Sequence, residues 1–528
     1  MTQSLVDVYR DTILPRLTQR NKAIGIGLAV ALTFLYYVQD RLLKPPKQFR
    51  HLPYQSYFEL IQSVIQKESY WDRAYRTVMP KIDTKESCGL YMKPARVGWL
   101  LMVTNPKDVK QILLKSELYP KLDISRKNER TFVSKFIGGN SMLLVNGEKW
   151  KSQRKVANPA FHRSAPVKLF GSLTQQLFEV IEENDSSRAN VGDLMERWTL
   201  DAIGKAGFGF DFNALSQKDN AWVQTYNTIN RGLQSIMFFL FPVLDTSLLW
   251  LFPKRQAMHR ELNRFLDMLN AMIVHKREQI ENGDLQNKDL EENEKDLLTL
   301  MIESEKRGEG ILSNQELQTN ICLFFLAGHD TTSNTLSFAM YYLATHPDIQ
   351  QKAREEAIRV LGDAPMDIIP TIDQAKQFDY INQVIKETLR INGPVVGLVP
   401  RIATQDTFLS NTFIPKGTPV SVDIFGLQHS NKVWEHPEVF DPDRFSKTGE
   451  ASVREAGEGM AYVPFSNGSR QCIGMNFSLY EQRVILSMLL RKYTWTLPKD
   501  SIHKDKLLMQ GNFIIGPYNL EIDFKKRY

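Results

Sequence analysis

The chain has 528 residues, 42% of them hydrophobic and 24% charged, with a formal net charge of +6. That content suits an enzyme-sized folded protein with a large core, and the 66 basic residues are spread among 60 acidic ones without the basic clusters that nucleic-acid binding needs. Three cysteines, Cys88, Cys322 and Cys472, include no C-x-x-C pair, so neither a disulfide framework nor a cysteine zinc site is suggested, and the chain fits a reducing compartment.

In chain order, the first element follows an N-terminal tail of residues 1–22. From Ala23 to Gln39, "AIGIGLAVALTFLYYVQ" holds 17 residues without a charge, at the short end of the roughly 17 to 25 that cross a bilayer, and predicts a single transmembrane anchor. Asp7 and Asp11 upstream, with no small-residue cleavage site downstream, argue against a cleaved signal peptide. Basic residues on the two sides balance, so charge does not orient the anchor. A linker over residues 40–50 contains "KPPK", a stiff extended joint before one domain over 51–528. That domain reads as mainly α with minor β sheets. The strongest helical patterns lie between about 165 and 395, whereas "GWLLMVTNP" and "TFIPKGTPVSVD" read as strand and turn.

Trp150 and Arg154, in "WKSQR", stand four apart on one helix face. The apolar run Ile236 to Phe252 suits either core or a dip into a membrane. Glu281 to Asp296 holds nine charges in sixteen residues and reads as a solvated loop between helices. Ser313 and Glu316 then form a capping-box pattern, and the apolar pattern runs on to His346 before Pro347, predicting a helix of about 32 residues, or roughly 48 Å. In its middle, "AGHDTT", Ala327 to Thr332, sets a glycine, an acid and two hydroxyls in an apolar helix. The arrangement fits a packing notch with a surface acid, or a widened turn where dioxygen sits beside an acid and an alcohol.

Glu387 and Arg390 lie at i and i+3, close enough to pair, and Arg444 in "FDPDRF" adds a third charge. The same spacing recurs at Glu261 with Arg264 and at Glu356 with Arg359, where an exposed pair is the default. Last comes "FSNGSRQCIG", Phe465 to Gly474, ahead of an amphipathic run from Met475 to Leu490. There Cys472 faces a helix start, whose free N–H groups favour a thiolate. Gly468 and Gly474 permit tight turns and a flat group close to the backbone, Arg470 offers donors to a carboxylate, and Phe465 supplies an aromatic cover. These are the needs of a haem bound through sulfur; Cys472 taken alone reads as a buried inert thiol, the commoner fate of a lone cysteine.

The pattern F-x-x-G-x-R-x-C-x-G at Phe465, Gly468, Arg470, Cys472 and Gly474 resembles the haem-binding signature of the cytochrome P-450 superfamily. "WKSQR", "AGHDTT", Glu387 with Arg390, and Arg444 match further family motifs in the family's order, so the resemblance runs from about residue 50 to the end. It is nearest to the microsomal fungal type. The resemblance implies the cytochrome P-450 fold and a haem b with Cys472 as axial thiolate. It implies that Trp150, Arg154, Arg401 and Arg470 meet the haem propionates, that Asp330 and Thr331 guide protons to dioxygen, and that Glu387, Arg390 and Arg444 form a structural triad. His329 is expected to be a satisfied helix histidine. Lys151 and Lys155, on another face of the Trp150 helix, are read as part of a docking patch for an acidic reductase, with solvated lysines as the alternative.

The implied activity is a membrane-anchored monooxygenase that inserts one oxygen atom from O2 into a lipophilic substrate. A steroid is the favoured substrate, with electrons from NADPH via NADPH–cytochrome P-450 reductase and with cytochrome b5 as a second partner. The implied location is the endoplasmic reticulum membrane, with the catalytic domain cytosolic. Fatty-acid or xenobiotic hydroxylation, a haem-thiolate isomerase or dehydratase, and a non-enzymatic haem sensor are the competing readings. The substrate pocket is expected from Lys121 to Gly139, Ile236 to Phe252, the start of "AGHDTT", "GPVVGLV" and "LMQGNFIIGP".

Overall fold

The computed structural model describes residues 19–41, 43–66, 68–84, 87–95, 98–122, 130–183, 187–218, 220–282, 291–455, 459–511 and 514–528. Most of the expected tail, and parts of the expected pocket loops at 123–129 and 512–513, lie outside the described residues.

The helix Gln19–Arg41 covers the expected anchor, and its described side chains from Ile24 to Tyr37 are exposed. It does not qualify as a span: among the described residues no helix is long and apolar enough to cross a membrane. The physical reason is visible in the helix itself, whose apolar run is short, diluted by Gly25, Gly27 and Thr33, and flanked by Arg20, Lys22, Asp40 and Arg41.

The mainly helical body is organised around one central element. The helix Asn314–Thr345 is 32 residues long, as its pattern predicts. Ser313 Oγ accepts from the Glu316 N–H at 3.2 Å, while a Glu316 carboxylate oxygen accepts from the Ser313 N–H at 3.1 Å, so two orphan donors are satisfied at its start. His346 closes it, and Pro347 opens the next helix, Pro347–Leu361. Against it pack Val191–Ile203, Pro253–Asn282 and Asp379–Asn392, all amphipathic, burying Trp198, Phe265, Phe325 and Leu343 in one large core.

The minor β part matches the two strand readings. Leu90–Ala95 and Gly98–Val103 form an antiparallel hairpin, Gly98–Val103 runs parallel to Pro419–Val422, and the last pairs with Arg401–Ile402. An isolated backbone bridge sets Lys121 opposite Arg401, extending this sheet toward the centre of the molecule. The second core surrounds it, with Leu101, Val420, Val422 and Trp434 inside.

The segment Glu281 to Asp296 differs from a plain solvated loop. Residues 283–290 lie outside the described residues, but Asp296 is buried, caps the helix Leu297–Lys306 through the Thr299 N–H, and pairs with Lys276 at 3.0 Å. The charge run hid a helix cap because a capping Asp and a loop Asp look alike in composition.

Candidate haem-thiolate site

The loop Phe465–Gly474 is closed by one backbone bond, the Cys472 N–H donating to the Phe465 carbonyl at 2.9 Å. Gly468 has φ +70°, and a Cβ there would meet the Leu113 carbonyl oxygen at 2.8 Å, so both conformation and space require glycine. Gly474 differs from expectation. It caps the helix Met475–Lys492 at φ −84°, and a Cβ would sit in ordinary contact, 3.7 Å from Phe161, so the protein alone does not require a tight turn there.

Cys472 is enclosed by protein yet keeps open surface, which it shows to an internal cavity of about 310 Å³. Burial pushes its thiol up, and the Gly474 N–H and the Arg154 cation only partly offset this. The helix start therefore does not by itself produce the expected thiolate; a soft cation coordinating the sulfur would complete the deprotonation. Of the other cysteines, Cys322 is sealed in the core and Cys88 is half-buried away from this cavity.

Around the same cavity the structure gathers cations. Trp150 and Arg154 project from the helix Gly147–Arg163, where Arg154 Nη2 donates to the Gln471 carbonyl at 3.1 Å. The Arg470 guanidinium lies 4.0 Å from the centre of the Trp150 ring and donates to the Val145 carbonyl and Asn146 Oδ1, each at 2.9 Å. Arg401 is buried; one of its nitrogens donates to the Ile112 carbonyl at 2.8 Å, but its Nε and Nη2 have no hydrogen-bond partner among the described residues. Lys121, whose motif-free setting hides it in the sequence, lines the cavity beside them. Burial lowers all of these cations. The Lys121 ammonium falls to about 7, helped by repulsion from Arg401 and Arg470, and the guanidiniums of Arg401 and Arg470 fall to about 10. Among the described residues no carboxylate pairs with any of the four cations.

A buried guanidinium with two orphaned donors is costly unless an anion meets it. The donor set fits one group: a haem, with a sulfur ligand for its iron and cationic donors for its carboxylates. Phe465, Thr331 and Ala327 also line the cavity.

On the long helix the expected acid and alcohol part company. Thr331 lines the cavity, and its hydroxyl donates back to the Ala327 carbonyl at 2.5 Å. Asp330 turns away into the core, where its Oδ1 accepts from the Tyr226 hydroxyl at 2.8 Å and its Oδ2 has no hydrogen-bond partner among the described residues. Burial pushes the Asp330 carboxyl up to about 7 against the Tyr226 bond, and Glu196 rises to about 7 through burial and the charge of Asp330. Tyr226 and Glu196 carry no sequence signal for this neighbourhood. His329 is buried, with its Nδ1 2.8 Å from the Thr199 hydroxyl and its pKa lowered to about 3 by burial, which is the satisfied helix histidine expected. Gly328 serves packing: a Cβ would meet the Ile203 side chain at 2.9 Å.

The three charges after the long helix meet. Glu387 and Arg390 are fully buried and joined by two bonds of 2.8 and 2.7 Å, Arg390 also donates to the Gln428 and Pro437 carbonyls, and the Arg444 guanidinium lies 3.4 Å from Glu387. The other two pairs differ as sequence alone could not say. Arg264 is exposed, whereas Glu356 is buried and accepts from the Tyr380 and Ile381 N–H groups at the start of the next helix.

A second cavity, about 330 Å³, shares Leu143, Gly397, Leu398 and Val399 with the first. Its remaining lining includes Val133, Ile137, Phe239, Leu326 and Ile514, so each expected pocket segment contributes to one of the two cavities.

Comparison with known proteins agrees with this architecture. The family described as Cytochrome P450 matches residues 85–524. Cytochrome P450 3A12 of Canis lupus familiaris is 31% identical over 435 residues, covering 79% of this chain and 80% of the relative. Cytochrome P450 4A10 of Rattus norvegicus is 28% identical over 481 residues, covering 89% of each. The crystal structure of a cytochrome P450DA mutant heme domain superposes with a TM-score of 0.70 at 24% identity, covering 83% of this chain and 90% of that one, which establishes the fold. With fold, cavity and sequence in agreement, the chain belongs to the cytochrome P450 family of haem-thiolate monooxygenases.

Proposed function

We propose that this monooxygenase hydroxylates a bulky lipophilic molecule of steroid size and rigidity, with Cys472 as the thiolate ligand. The observation that carries the substrate reading is the second cavity, almost wholly apolar in its lining, which shares four lining residues with the cavity that Cys472 faces. An apolar chamber excludes water and holds a substrate by burial alone, leaving few polar groups to fix its orientation.

Haem b held through a cysteine thiolate supplies dioxygen activation, the thiolate's electron donation favouring O–O cleavage. The chain's own residues do the rest. Trp150, Arg154, Arg470 and Lys121, which line the cavity, and the nearby Arg401 with its two unmatched donors would hold the haem carboxylates. Thr331 presents its hydroxyl to the reaction cavity, and Asp330, poised near neutrality, holds a proton one residue away. Electrons come from a reductase, as the family implies; Lys151 and Lys155, exposed on the helix that carries Trp150 and Arg154, support its docking there, with cytochrome b5 as a competing partner for the same face. The exposed apolar side chains of Gln19–Arg41, together with Phe241 and Trp250, support attachment to the endoplasmic reticulum membrane.

The test is turnover by the full chain with a flavin reductase, NADPH and matched panels of steroids, fatty acids and xenobiotics. A hydroxylated steroid as the fastest product supports the reading. Oxidation of fatty acids or small xenobiotics alone overturns the substrate class, and a Cys472→Ala chain that keeps a ferrous–CO thiolate band overturns the ligand.

A further inference from the structure

Over the substrate chamber lies a charge cluster that the chemistry above does not use. Asp245, Arg255 and His259 are only 1%, 3% and 5% exposed. Arg255 and His259 sit one turn apart at the start of the rigid helix Pro253–Asn282, and Asp245 ends the short 3-10 turn Pro242–Asp245 just before it. The two Arg255 nitrogens grip Asp245 at 2.6 and 3.0 Å, and His259 Nε2 lies 3.0 Å from the same carboxylate.

The cluster reaches three parts of the chamber roof. Asp245 accepts from the Phe132 N–H at 2.7 Å, at the first turn of the helix Phe132–Ile137, whose Val133, Ser134 and Ile137 line the chamber. Arg255 donates to the Gly232 carbonyl at 2.7 Å, next to the lining residue Leu233. Its guanidinium lies between two rings, 4.4 Å from the centre of Phe132 and 4.5 Å from that of Phe238, the neighbour of lining residue Phe239. Burial works against the Asp245 charge, but bonds from His259, Arg255 and the Phe132 N–H outweigh it and hold the carboxyl down to about 2.

A buried ion pair is a poor source of stability, because its desolvation offsets its attraction. What it supplies is direction. The roof segments are short and share no backbone ladder, and apolar packing alone would let them slide. We propose that Asp245, Arg255 and His259 form a latch that positions the roof of the substrate chamber, setting its width and the rate at which bulky lipophilic molecules pass. This rests on the reading of that chamber as the substrate site.

The test uses the full-length, haem-loaded chain. Asp245→Leu combined with Arg255→Met removes both charges together, so neither is left unpaired. Stopped-flow mixing with a tetracyclic steroid and with a small aromatic ligand is followed by the haem absorbance shift. The expected result is a normal ferrous–CO thiolate band, steroid association and dissociation faster by about tenfold, and small-ligand rates within about twofold of the unaltered chain. Unchanged steroid rates, or equal acceleration of both ligands, would overturn the latch. Should the double variant fail to load haem, Arg255→Lys keeps the charge without the fork. Hydrogen exchange in that variant should then rise over 132–137 and 236–252 and stay unchanged in Asn314–Thr345, and unchanged exchange in both roof segments overturns the proposal. A missing ferrous–CO thiolate band in the unaltered chain strikes the haem reading instead, which separates the two failures.

Discussion

Single side chains here are defined by what they lack as much as by what they touch. Arg401 has two buried nitrogens without partners among the described residues, a deficit that the carboxylates of a bound haem would fill. Arg401→Met is therefore expected to speed haem loss to a scavenger apoprotein by about tenfold or more. Asp330 gives the clearest pH prediction. Its carboxyl rises from an ordinary 3.8 to about 7, so the folded state prefers the protonated form. The cost of ionising it grows as pH climbs from about 4 to about 7 and is constant above. Asp330→Asn, which keeps an acceptor for Tyr226, should raise stability above pH 7 by about 4 kcal/mol and converge with the unaltered chain below pH 4, as read by melting temperature across that range. Cys472 and Arg470 were legible because their ten-residue motif has fixed spacing, and Arg154 because it follows Trp150 by one helical turn in "WKSQR". Arg401 was expected there from the family resemblance, whereas Lys121 joins the cluster through a β-bridge to Arg401, 280 positions away, which no local pattern encodes.

At the scale of elements, the capping box and the terminal proline delimited the long helix, because both signals act within a few residues of the ends they mark. The three E-x-x-R spacings show the limit of such reading. Helical geometry makes each a pair, and only tertiary burial separates the sealed Glu387–Arg390 bond from the exposed Arg264. Glu387→Gln is expected to cost about 3–5 kcal/mol in denaturant unfolding, against less than about 0.5 kcal/mol for Arg264→Ala. Within the long helix, Thr331→Ala should lower product formed per NADPH by at least about tenfold while hydrogen peroxide rises, measured as the coupling ratio, because the cavity loses its one hydroxyl from "AGHDTT". The same stretch matches neither of its sequence readings in full: Gly328 is a packing notch, but Asp330 is a buried acid and not a surface one, and Thr331 lines the cavity without it.

Across the whole molecule, the fold class was legible in the alternation of long helical patterns with short Pro- and Gly-punctuated strands, whereas the membrane span was not, since 17 uncharged residues sit at the boundary where composition stops deciding. The apolar surface is not confined to that helix; Phe58, Ile61, Ile65, Phe241 and Trp250 are also exposed. A chain beginning at residue 43 should therefore float with lipid vesicles at reduced but measurable yield, and complete loss of flotation would assign all attachment to Gln19–Arg41. The gathering of Lys121, Arg154 and Arg470 around one cavity, with Arg401 near enough to repel Lys121 and Arg470, reaches furthest. Among the described residues these groups have no counter-charge and repel one another, with Lys121 shedding part of its charge, so binding of a dianion would complete the fold and obey mass action. The amount of this enzyme a cell keeps would then follow its haem supply, with chains made in excess of haem turned over before they act.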